Sequence, residues 1–195
     1  MTEAPGQDLL DVLASDHEAM VELLDRLHPA EIEAATAPPE SQRQQLVIDV
    51  VRHLVAEEQY LWPLVRHRLD GGDQLAETAF ADDREIEHAL RGLEHPDADA
   101  QYLGVVLAGV QRLLAEHVRE QAEQLFPQLR ATVEADELVR LADEAVGAEQ
   151  VGPTRPRLLH PENAALNKAS GLVEGFIDHV RDTYRHRGAR AEEIE

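Results

Sequence analysis

The chain has 195 residues, 43% of them apolar, enough for one well-buried domain with an appendage and too many for a disordered chain. It carries 39 acidic against 18 basic side chains, and a net charge of −21 would repel a phosphate backbone, so nucleic acid is disfavoured as a partner. There is no cysteine, which removes disulfides, thiolate metal sites, iron–sulfur clusters and cysteine nucleophiles and leaves nitrogen and oxygen as the metal donors.

The opening MTEAPGQDLL has two acids and no basic stretch, so no secretory signal is expected. Helical periodicity then takes over. Over 8–28, Leu10, Leu13, His17, Met20, Leu24 and Leu27 recur at spacings of three and four, one buried stripe. HPAEIEAATAPP breaks the pattern. A second helix fits 40–69 through Leu46, Val50, His53, Glu57, Leu61 and Leu64, with a kink or new start expected at Pro63 and a stop at Gly71-Gly72. A third fits 73–94. A fourth fits 99–132 through Leu103, Leu107, Val110, Leu114, His117, Gln121 and Gln128, with Pro127 near its end. A short helix fits 134–147. VGPTRPRLLHPEN reads as an extended strap, and 164–186 as a final amphipathic helix.

This pattern predicts an all-α fold, an up-down-up-down four-helix bundle over 1–132. Residues 133–195 form a helical appendage packed on it. Residues 1–150 hold 11 basic and 32 acidic side chains, already −21, whereas 151–190 hold seven and four, or +3, so long-range attraction favours that docking. The longest apolar run, LGVVLAGV at 103–110, is far below a membrane span. No membrane partner is expected, and the cytoplasm is the expected compartment.

Two segments repeat. HLVAEEQYLWP (53–63) and HVREQAEQLFP (117–127) each run from a histidine to a proline. Residues four apart on a helix share a face, about 40° apart, so His53 with Glu57 offers an imidazole nitrogen and a carboxylate to one point. Burying a carboxylate among leucines is costly unless it is paired or binds a cation. One such pair arises by chance and is then a solvated pair. Two copies on separate helices, each in phase with its leucine stripe, point to a metal held between helices, and nitrogen and oxygen donors suit iron, with manganese or zinc less selectively served. Asp16-His17 adds a third helix.

SDHEAMVELL, HLVAEEQYLWP, DDREIEHALRGLE and HVREQAEQLFPQLR, in that order, resemble the four helices of a hemerythrin-like (HHE cation-binding) domain, and the tail is similar to the C-terminal extension of actinobacterial members. The resemblance implies ligands in the order H, HxxxE, H, HxxxE around two irons joined by an oxo or hydroxo bridge and by carboxylates. Carried over by position, His17, His53, Glu57 and His117 match.

Two positions depart from that pattern. On the third helix the apolar stripe runs through Ala79, Ile86, Leu90 and Leu93, and at 3.6 residues per turn both Asp82 and Asp83 flank it. His88 falls on the far side of the same helix, toward water. The family's third-helix histidine precedes K/R-E-x-E, a slot that Asp83 occupies in DDREIE. Gln121 stands where the family has glutamate; an amide oxygen can ligate a cation but is neutral and bridges poorly. The candidate metal residues are therefore His17, His53, Glu57, Asp83, His117 and Gln121.

Other residues read more plainly. Glu58 points about 100° from Glu57 and reads as a solvated or supporting acid. Tyr60 reads as core, or as a donor to a ligand. Trp62 and Phe126 are expected to cap the bundle end without touching the centre. His28, His67 and His95 sit at helix ends, and His160, His179 and His186 in the appendage. No HExxH, GxSxG, GxGxxG or Walker pattern is present. By resemblance, the expected function is non-haem iron binding, with one ion or two, and reaction with dioxygen, peroxide or nitric oxide in sensing, storage or detoxification, inside an interior that excludes bulk water. The alternative is a metal-poor or mononuclear bundle whose acidic face meets a basic partner.

Overall fold

In a computed structural model the described residues are 7–27 and 37–151, with side chains through 145. Seven α-helices make up this part: α1 (Leu9–Leu27), α2 (Glu40–Ala56), α3 (Trp62–Arg68), α4 (Gly72–Leu93), α5 (Ala100–Glu120), α6 (Phe126–Thr132) and α7 (Ala135–Val151). There is no strand among the described residues. The fold is the expected all-α bundle, with α1, α2–α3, α4 and α5–α6 as its four rods. The strap and the final helix expected at 164–186 lie outside the described residues. No described helix is long and apolar enough to cross a membrane.

The stripes seen in the sequence pack as two apolar clusters. One joins Leu9, Leu10 and Leu13 of α1 to Leu61, Trp62, Val65, Leu125 and Leu129. The other joins Met20 and Leu24 to Leu46, Val50, Leu54, Ile86, Leu90, Leu107 and Leu114. Each leucine so buried is worth about 1.5–3 kcal/mol relative to exposure. Along every rod the six candidate metal residues fall between members of the first cluster and members of the second. A polar layer thus divides the core.

The prolines act differently from a simple kink. Residues Glu57–Leu61 and Gln121–Leu125 are π-helical turns, each ending one residue before the first turn of α3 or α6, which holds Pro63 or Pro127. Proline lacks an N–H and its ring crowds the carbonyl four residues earlier. Widening the preceding turn to i→i+5 bonds accommodates that residue without breaking the rod. Both prolines then sit where a helix start tolerates them.

α7 runs on to Val151, past the expected end at 147, and packs against α1, α2 and the first π turn. Its Leu138, Ala142 and Ala145 are buried. The α3–α4 corner is made by two glycines with different duties. Gly71 has φ +72° with open space around it, whereas a Cβ on Gly72 would lie 2.2 Å from the Val65 carbonyl oxygen. We expect Gly71→Ala to cost about 1 kcal/mol from its left-handed backbone and Gly72→Ala about 2–3 kcal/mol from overpacking against backbone. Denaturant unfolding of both variants checks the order, and equal losses would contradict it.

Candidate metal centre

Three rods and one π turn bring the centre together. His17 comes from the middle of α1, His53 from the last turn of α2, Glu57 from the first residue of the π turn, and His117 from the last turn of α5. One ligand atom from each lies within 4.8 Å of all the others. The rings of His17 and His53 meet at 4.6 Å between centroids, and those of His17 and His117 at 5.3 Å.

A single oxygen, Glu57 Oε1, is the hub. It lies 3.0 Å from His53 Nε2, 3.3 Å from His117 Nε2 and 3.9 Å from His17 Nε2. Gln121 Nε2 donates to it at 2.7 Å. The amide must present its NH₂ side there, since a carbonyl oxygen that close to a carboxylate would be repelled. Glu57 is wholly buried, with 0% exposure. Among the described residues, His17 Nε2, His53 Nε2, Glu57 Oε2 and Gln121 Oε1 are buried with no partner in hydrogen-bond geometry. At 3.0 Å, His53 Nε2 is close to its carboxylate but off the line of a hydrogen bond. Donor atoms crowded on one point without satisfying one another fit a cation better than they fit a self-contained polar core.

Asp83 and Gln121 flank this group of four. Asp83 is buried, and its Oδ1 faces Nδ1 of His117 at 3.9 Å, behind the ring and away from the hub. Asp16, half-buried on α1, plays the corresponding part for His53, with Oδ2 3.4 Å from Nδ1. A carboxylate behind an imidazole fixes which nitrogen carries the proton and turns the other toward a metal. Gln121, 3% exposed, bridges Glu57 and His117, its Nε2 3.2 Å from His117 Nε2. His88 is exposed, as its angle on the third helix predicts.

One expectation is corrected. Phe126 does touch the centre, because its ring stacks on His17 at 6.0 Å with planes 3° apart. Trp62 sets its ring against Phe80 at 6.4 Å between centroids and lines a cleft that also contains His117 and Gln121. Of the two readings of Glu58, burial removes the solvated one and leaves the supporting one: it is 1% exposed, in a π turn that α7 packs against. Tyr60 packs in the apolar cluster, and burial followed by the charge of Glu144 pushes its hydroxyl above its ordinary value. Glu87, a further buried acid on α4, has no signal in the sequence pattern, since it lies outside the α4 apolar stripe.

Charge at the centre is divided unequally. Burial lowers His17 to about 4, so its ring is neutral. Burial also opposes charge on His53, but the carboxylates of Glu57 and Asp16 outweigh it and raise that ring to about 10. Burial opposes charge on Glu57 as well, and the His117 and His53 rings hold it well below its ordinary value of 4.5. Without a cation, the pair is an imidazolium beside a carboxylate.

The family model of the hemerythrin HHE cation-binding domain matches residues 8–129, which span all four rods and every residue of the centre. No curated protein and no solved structure matches the chain.

A cation at Glu57 must displace the His53 proton, so binding strengthens as pH rises toward about 10. We expect the dissociation constant for a divalent cation to fall about tenfold per pH unit between roughly pH 6 and 9, with at least one proton released per ion. Calorimetric titration in buffers of different ionisation enthalpy measures both, and pH-independent binding without proton release would contradict the assignment. Without metal, the sign reverses for His53. Its stabilising contribution is full below 6.5 and lost as pH rises through about 10, while that of Glu57 is full above 4.5 and lost as pH falls.

Proposed function

The chain belongs to the hemerythrin HHE cation-binding family, and on that premise we propose that its centre holds non-haem iron and binds or reacts with a small ligand, dioxygen, peroxide or nitric oxide, for sensing, storage or detoxification. The observation that carries this reading is the convergence of three imidazoles and one carboxylate on a buried point. Nitrogen and oxygen donors without thiolate suit ferrous and ferric iron. Iron held there by these residues would supply one-electron redox chemistry toward a small ligand.

The protein's own groups have separable parts. His17, His53 and His117 present imidazole nitrogens, and Glu57 brings the negative charge that offsets the cation. Asp16 holds Nδ1 of His53, leaving Nε2 for the centre. Asp83 stands in the same relation to His117. Phe126 covers His17 on one ring face. Gln121 donates to the hub oxygen, so one lone pair of Glu57 is engaged by an amide where the family pattern places a second carboxylate. That contact supports one ion rather than a carboxylate-bridged pair.

Protein produced with ample iron is expected to contain about one iron per chain by elemental analysis, and His53→Ala to lose most of it. Asp83→His combined with Gln121→Glu restores the family's donors and is expected to raise iron toward two per chain. Wild-type protein without metal, and with a melting temperature indifferent to chelators, would favour the acidic interaction module instead.

A further inference from the structure

Between α4 and α5 lies a cleft of about 280 Å³, against the roughly 10–15 Å³ that one water needs on the same measure. A diatomic ligand needs far less than the cleft offers. The lining changes character with depth. At the surface stand the exposed carboxylates Asp82 and Glu85 of α4 and Glu116 and Glu120 of α5. At the inner end lie His117, a member of the four-ligand group, and Gln121, whose buried Oε1 has no hydrogen-bond partner among the described residues. Among the described residues Arg112 is the one guanidinium on the wall, and its charge is engaged by Glu116 at 3.6 Å. Four carboxylates against one guanidinium leave the entrance strongly negative.

We propose that this cleft is the path by which a divalent cation reaches the centre, with Asp82, Glu85 and Glu116 concentrating the ion at the mouth and the Gln121 carbonyl oxygen receiving it at the inner end. The proposal rests on the reading of the four-ligand group as a cation centre. Asp82, Glu85 and Glu116 line the same cleft, and a cation among them would offset their mutual repulsion. Clefts lined by one sign of charge raise the local concentration and the association rate of the opposite ion. Hard oxygen donors at the mouth and imidazoles within let an ion exchange its waters stepwise before meeting nitrogen. Anions meet repulsion at the same entrance, whereas neutral dioxygen, hydrogen peroxide and nitric oxide do not.

Stopped-flow mixing of cobalt(II) with the metal-free full chain, followed by the visible absorption of the bound ion, tests the path. Asp82→Asn with Glu85→Gln and Glu116→Gln is expected to slow second-order association about tenfold at low ionic strength and to remove most of its salt dependence, with final stoichiometry unchanged. A control with the same change of charge on the exposed face of α1, Glu18→Gln with Glu22→Gln and Asp25→Asn, is expected to stay within about twofold of wild type. Ala79→Phe, which narrows the cleft without altering charge, is expected to slow association at every salt concentration. Equal rates for the two triple variants would overturn the path while leaving the centre standing. A wild-type chain that takes up no cobalt would overturn the centre and the path together.

Discussion

Glu57 carries a carboxylate with no exposure to solvent, and the bundle is arranged around what that group requires. Moving an ion of this size out of water costs several kcal/mol even after relaxation, and the cost is met only by opposite charge and donors at close range. Three imidazoles and an amide supply them, one from α1, one from α2 and two from the α5 rod. The same convergence ties the rods together between the two apolar clusters. Stability and site are therefore one feature here. Removing Glu57 would leave an imidazolium with Asp16 alone, and removing His53 would leave a buried carboxylate short of its closest imidazole.

Much of this is legible in the residues because one helical period governs both the leucines and the ligands. His17, His53, Glu57, His117 and Gln121 belong inside because they share stripes with Leu13, Leu46, Leu61, Leu107 and Leu114. Asp83, set beside Ile86 and Leu90 by angle, is buried, and His88, set opposite, faces water. Order along the chain and the 3.6-residue period suffice for such statements.

What is not legible depends on departures from that period and on neighbours distant in sequence. A proline announces a disturbance, but not that the chain answers with a π turn just before it, twice. Glu58, in the first of these turns, is buried where α7 packs against it. The covering of that segment by α7 is a tertiary fact with no local mark. Nor does a helical wheel say on which side of an imidazole a carboxylate falls. Asp83 shares a layer with the ligands yet faces Nδ1 of His117 rather than the hub.

An anomalous difference map from crystals of the iron-loaded protein tests the central claim most directly. One peak is expected among the nitrogen atoms of His17, His53 and His117 and a Glu57 carboxylate oxygen, with Asp83 behind His117. A map without a peak there, and with the same four side chains bonded only to each other and to water, would contradict it.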